Sequence, residues 1–198
     1  MIDIDKTLAA DDAAQDSQVL ADVRCWLERA VIGLNLCPFA KAVHVKGQVH
    51  HAIYRLPDDS GLLDALLFEA AELVAHDAAV RDTTLLIAPH ALGDFLDFND
   101  FVGRAGRRPA RAGYGGTLQL ASFHPRFQFA GSEVEDIGNA TNRSPYPILH
   151  LLREDSVSRA VDAFPDAADI FERNIETLER LGPQGWAELN VGPGGGSR

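Results

Sequence analysis

The sequence predicts a single domain of the α/β or α+β class, a sandwich in which a mixed sheet of about four strands is covered by helices. Three observations predict it. Apolar residues recur at three- and four-residue steps in several stretches, as helices with one buried face require. Short β-branched and aliphatic runs separate those stretches. The chain has 198 residues, 46% hydrophobic and 24% charged, enough for one core of ordinary size.

Residues 1–16 carry five Asp and one Lys with little apolar periodicity, and are expected to be a disordered acidic arm. The first helix follows from Val19, Leu20, Val23, Trp26, Leu27, Ala30, Val31 and Leu34, with Asp16 or Ser17 as its cap and a stop before Pro38. Gln48 to Leu56 is a strand by composition, and Pro57 to Gly61 has turn chemistry. Leu62, Leu63, Leu66, Leu67, Ala70, Leu73 and Val74 define a second helix, with Asp64, Glu69 and Glu72 on its polar face. Thr83 to Ala88 is a short buried strand.

Leu92, Phe95, Leu96, Phe98, Phe101 and Val102 mark a third helix, whose phenylalanines suit core packing better than a binding face. Gly116 to Phe123 and Tyr146 to Arg153 are the remaining strands. Helices over Asp155 to Ala163 and Pro165 to Leu181 close the domain, the second stopped by Gly182-Pro183. The globular domain then spans 17–190, and residues 191–198 form a flexible tail too rich in glycine to pack. Helical crossovers make the first three strands parallel, while the fourth is free to run antiparallel.

Charge and cysteine content narrow the function. With 18 Lys+Arg against 29 Asp+Glu, a net −11, a nonspecific grip on nucleic acid is disfavoured, and the arginines between 104 and 111 read as a solvated loop. The glycines around them match no nucleotide-binding pattern, so no nucleotide is expected. Cys25 and Cys37 are too few for a disulfide framework. The N-terminus lacks a secretory pattern and no apolar run is long enough to cross a bilayer, so a cytoplasmic protein without membrane association is expected. The sequons at Asn139 and Asn142 then carry no meaning for glycosylation.

In sheets with parallel strands, ligands bind beyond the carboxyl ends. The second strand runs into His90 and the third into His124. The connection from Phe123 to Tyr146 gathers Arg126, Glu133, Glu135, Asp136, Asn139, Asn142, Arg143 and Ser144 between Pro125 and Pro145, too long and polar for a simple hairpin loop.

The strings WLERAVIGLNLCPFAK (26–41), LQLASFHPRFQFAG (118–131) and NATNRSPYPILHLLREDSV (139–157) resemble a bacterial family catalogued as domain of unknown function 1415. The resemblance spans about residues 17–182 and implies a small cytosolic bacterial protein. It brings no activity, fold name or cofactor, so the site rests on chemistry.

Three readings compete. A divalent transition metal would take His124, His150 and His90 with Glu135 or Asp136, against the plainer role of hydrogen-bonded structural histidines. Cys37, at the cap of a short helix opened by Pro38, would be a nucleophile with a histidine base, against a small apolar residue closing the core. Arg143 with Asn142, Ser144, Asn139 and Arg126 would hold a small anion, against an ion pair to Asp136 or Glu135 that pins the loop. Together they suggest a small-metabolite hydrolase or group-transfer enzyme with His124 as acid or base, Asp136 or Glu135 orienting it or binding a metal, and Cys37 as the thiol option. The alternative is a non-catalytic protein that holds a ligand or partner on the same loop.

Overall fold

The computed structural model describes residues 4–162 and 169–197, and Ala163 and Pro165 lie outside them. The chain folds into one four-stranded mixed sheet with helices on both faces. The strands are β1 (Val49–Ile53), β2 (Thr83–Ile87), β3 (Leu118–Phe123) and β4 (Ile148–Arg153), each inside its expected range. Their spatial order is β1-β2-β4-β3. β1 and β2 pair in parallel, and β4 lies antiparallel to both β2 and β3. The first three strands therefore share one direction, as the crossovers require, but only β1 and β2 are hydrogen-bonded as parallel neighbours.

Alternation along the strands supplies two cores. On one face Leu86, Leu149 and Leu151 pack beneath Leu62, Leu66, Ala70 and Leu73 of α3 (Leu62–Ala75) and Phe98 and Phe101 of α4 (Phe95–Ala105). Phe98 and Phe101 are buried, so the aromatic helix serves the core. On the other face Leu85, Ile87 and Ile148 lie against Val19, Val23, Trp26, Leu27, Ala30 and Val31 of the first helix. A third cluster, Leu36, Ala140 and Leu178, joins α6 (Ile170–Glu188) to a 3-10 turn over Ile137–Asn142.

The first helix, α1, spans Ile4–Trp26 and passes into a wider π-helical turn at Leu27–Ile32. Ser17 is not its cap. Its hydroxyl donates to the Ala13 carbonyl at 2.8 Å from within the helix, because the alanine-rich run before it is helix-forming in its own right. Residues 4–16, expected as an arm, continue α1, and Asp16 pairs with Arg55 just past β1. A short helix, α2 (Ala40–Val45), follows, and α5 (Glu154–Asp162) continues directly from β4.

Two expectations for the last third are corrected. The helix meant to stop at Gly182-Pro183 kinks there, with Gly182 at φ 68°, and Pro183 begins a further helical stretch to Glu188, since proline is well tolerated in a first turn. The glycine-rich segment also packs. Gly195 is buried, and the Gly194 and Gly196 amides donate at 2.9 and 2.8 Å to the carboxylate of Asp22, which is itself fully buried on α1. Glycine allows this approach: a Cβ at 196 would lie 2.4 Å from the Ala21 backbone.

Candidate functional site

β3 ends in His124, which is fully buried. Its Nδ1 accepts the Arg126 amide at 3.0 Å, so the proton sits on Nε2, which donates to the Leu92 carbonyl at 3.0 Å. The ring lies between Phe95 and Phe98, with centroids 5.5 and 5.0 Å away. Burial holds its pKa below the usual histidine value, so it is neutral at pH 7. Both nitrogens are engaged by backbone. The Leu92 contact also secures a turn in which Leu92 has φ 55°, a strained region for a bulky side chain. Neither Asp136 nor Glu135 orients His124; the carboxylate that acts on it electrostatically is Asp94.

The other polar groups of the connection brace it. Asn139 is fully buried; its Oδ1 accepts the Phe129 amide at 2.9 Å and the Ser132 hydroxyl at 2.8 Å, and its Nδ2 donates to the Glu133 carbonyl at 2.8 Å. Arg143 donates from Nη2 to the Val134 carbonyl at 2.7 Å and from Nε to the Phe127 carbonyl at 3.3 Å. It therefore pins the loop through carbonyls rather than through the expected ion pair. Asn142 donates to the Ser122 carbonyl at 3.2 Å and Ser144 to the Tyr146 carbonyl at 2.6 Å. Asp136, exposed, caps the 3-10 turn through the Gly138 amide at 2.8 Å. Arg126 faces solvent and reaches the Gly93 carbonyl and, at 3.4 Å, Asp94.

The metal set does not assemble. His90 and Glu135 are exposed, His124 is engaged as above, and His150 lies partly buried in mid-strand, donating from Nε2 to Thr83 Oγ1 at 2.6 Å. The Thr83 hydroxyl passes its own proton to the Leu151 carbonyl at 2.7 Å. Among the described residues, no three of His, Cys, Asp and Glu are grouped to hold a metal ion.

Cys37 lies three residues before α2, whose cap is Phe39; the Phe39 and Ala40 amides are directed at its sulfur, but burial outweighs them and pushes the thiol up from its ordinary value. The thiol is therefore protonated at neutral pH. Alkylation of Cys37 by iodoacetamide, followed by mass spectrometry, is expected to show a rate midpoint higher than that of a free cysteine thiol; a midpoint well below it would restore the nucleophile.

Polar groups gather instead at the opposite, amino end of β1. A cleft of about 310 Å³ lies there, lined by Gly47, Val49, His50, Phe68, Glu69, Glu72, His76, Val80 and Arg81. Arg81 is buried, paired with Glu69 and bonded through Nε to Thr84 Oγ1 at 3.0 Å. His50, about half exposed, brings Nε2 to 3.9 Å from Glu69 Oε2, and burial together with the Arg81 charge lowers its pKa. Phe68 and Val80 are 62% and 65% exposed, unusual for apolar side chains beside a cleft. β1 is an edge strand. The Tyr54 amide reaches the Ile87 carbonyl and the Gln48 carbonyl accepts from Thr83. The alternate backbone groups, at Val49, His51 and Ile53, therefore face outward.

The model of the family described as "Protein of unknown function (DUF1415)" matches residues 18–188. The chain belongs to this family. No curated protein and no solved structure matches it. Among the described residues, no helix is long and apolar enough to cross a membrane.

The DUF1415 segment holds the whole sheet and the β1 cleft, and ends before the glycine-rich segment that packs on Asp22. Sequence reading passed over the cleft because Glu69 and Glu72 looked like a solvated helix face. One signal was available: Glu69 and Glu72 fall at i and i+3, which stacks them along one line of α3, and His76 follows just past its end. Two of the strings quoted from the sequence meet in the fold: Trp26 Nε1 donates to the Arg143 carbonyl at 2.8 Å, joining 26–41 to 139–157, and the Tyr146 hydroxyl donates to Asp22 of α1 at 2.8 Å.

Proposed function

We propose that this DUF1415 protein is a non-catalytic binding protein whose partner is an extended, basic segment of another chain, seated along the free edge of β1. The observation that carries this is the cleft beside that edge, where exposed Phe68 and Val80 flank Glu72. An added strand would take its hydrogen bonds from the outward groups of Val49, His51 and Ile53, and its alternate side chains would meet the cleft. The net charge of −11 favours a basic partner. The carboxyl edge is less suited to the small anion or metal expected there, since Arg143, Asn139, Asn142, Ser144 and His124 are bonded within the protein. A cytoplasmic location belongs to the same proposal and fits two free thiols, Cys25 and Cys37.

The test uses two hexapeptides, one alternating lysine with valine and one alternating glutamate with valine. The lysine peptide is expected to shift the amide resonances of Val49, His51 and Ile53, more weakly in Phe68→Ala and Val80→Ser proteins. Binding should also weaken as pH falls below 6.5, because His50, neutral at pH 7, then takes up a proton that repels lysine. Equal binding of both peptides, or shifts confined to residues 124–144, would overturn the proposal.

Hydrolysis or group transfer is the second reading, favoured by one observation in the same cleft: a neutral, half-exposed His50 near Glu69, placed to accept a proton. It requires turnover of a carboxylic or phosphate ester that is lost in His50→Gln.

A further inference from the structure

Three side chains on α1, Gln18, Asp22 and Cys25, and Arg29 of the π-helical turn that continues it follow one another at four-, three- and four-residue steps and form a single stripe. Each meets the segment 189–197. Ser197 Oγ bonds Gln18 Oε1 at 2.5 Å, the Gly194 and Gly196 amides bond Asp22, Cys25 Sγ lies 3.7 Å from the Asn190 carbonyl, and Arg29 Nη1 donates to the Leu189 carbonyl at 3.1 Å. The contacts run in reverse order, so the segment lies antiparallel to α1. Tyr146 donates to the same carboxylate, and Gln18 Nε2 adds another bond at 2.8 Å. These donors hold the Asp22 pKa below its ordinary value despite burial.

Recognition here is of backbone, and it selects for glycine. Gly194 has φ 81°, and added Cβ atoms would lie 2.0 Å from the Asn190 carbonyl oxygen at position 195 and 2.7 Å from the Asp22 nitrogen at position 196. The stripe and Tyr146 lie within the family match of 18–188, whereas the segment from Leu189 onward lies outside it. Site and occupant thus fall on opposite sides of the end of the family match. Val191 is buried and Leu189 partly buried against the core beneath α1, and polar and backbone contacts supply further attachment.

We propose that the Gln18–Asp22–Cys25–Arg29 stripe with Tyr146 is a binding site for a glycine-rich segment, occupied reversibly in this chain by its own residues 189–197. It shares no residue with the β1 cleft and stands or falls independently of it. When the segment leaves, Asp22 loses two of its amide donors and its carboxylate becomes accessible to another glycine-rich segment.

Two experiments on the full chain decide it. In native-state hydrogen exchange of the unmodified protein, the Gly194 and Gly196 amides are expected to exchange through a local opening, well before the β2 and β4 amides. In a Gly196→Val protein, which cannot seat its own segment, a synthetic peptide of residues 189–198 is expected to bind one to one. The same peptide carrying valine at position 196 should bind at least about tenfold more weakly, a loss of about 1.4 kcal/mol. Exchange of Gly194 and Gly196 only on global unfolding, or no preference between the two peptides, would overturn the proposal and make the segment an inseparable part of the fold.

Discussion

Lowering the pH from 7 toward 4 is expected to remove a large part of the stability of this protein through two buried histidines. His51, Leu85, His150 and Ala121 form one row across the sheet on the face beneath α1. Desolvation lowers both histidines from 6.5 to about 4, with the Arg24 charge adding to the effect at His51. His51 Nε2 is buried without a hydrogen-bond partner. An unfolded chain binds protons on these rings below pH 6.5, whereas the folded chain refuses them until about pH 4. Their stabilisation is therefore complete above 6.5 and lost as pH falls between those values, on the order of 3 kcal/mol for each ring. Urea unfolding across this range should give a slope approaching about 3 kcal/mol per pH unit near pH 5. A double variant, His51→Phe with His150→Val, should flatten it. Unchanged stability between pH 6.5 and 4.5 would contradict the neutral assignment of both rings.

His124→Ala is expected to lower stability by about 3–5 kcal/mol, through the cavity left between Phe95 and Phe98 and the loss of partners for the Leu92 carbonyl and the Arg126 amide. For a domain of this size that is a fall in melting temperature of roughly 10 °C. The turn at Leu92, held at φ 55° by the same ring, should relax as well. Thermal unfolding followed by circular dichroism checks this directly. A variant that melts with the native protein would show that the imidazole carries no structural duty and would return it to consideration as an acid or base.

Local rules were enough for most elements. The runs of Leu62 to Val74 and of Thr83 to Ala88 contain their own evidence, because a helix or strand with a buried face must show that face in its spacing. The order β1-β2-β4-β3 was not legible: it depends on β4 pairing with a strand more than sixty residues earlier, at Thr83↔Leu152, and spacing within a segment says nothing about such partners. Glycine misled for a related reason. In residues 192–196 it suggested freedom, yet the absence of a Cβ also permits the close approach that Asp22 uses.

The carboxyl-edge residues were chosen for their chemistry, and that chemistry is real. Asn139, Arg143 and His124 donate and accept as such groups do, but toward backbone that no sequence pattern announces as their partner. A long polar connection must satisfy its own amides and carbonyls when it is buried, and side chains of this kind do it. The β1 cleft escaped for the opposite reason. His50, Glu69 and Arg81 are far apart in sequence and ordinary in their own segments, and they meet only because β1 and α3 fold against one another.

The place of β4 in the sheet sets an order of events during synthesis. The strand that joins β2 to β3 is the last of the four to be made. Until residues 148–153 have left the ribosome, β2 can pair only with β1, and β3 has no neighbour at all. One edge of β2, the wholly buried Thr83–Ile87 of the finished protein, and both edges of β3 then stand open to other chains. The growing polypeptide is thus most exposed to association in the interval between the emergence of β3 and that of β4, and the polar, proline-bounded connection from Phe123 to Tyr146 fixes how long that interval lasts.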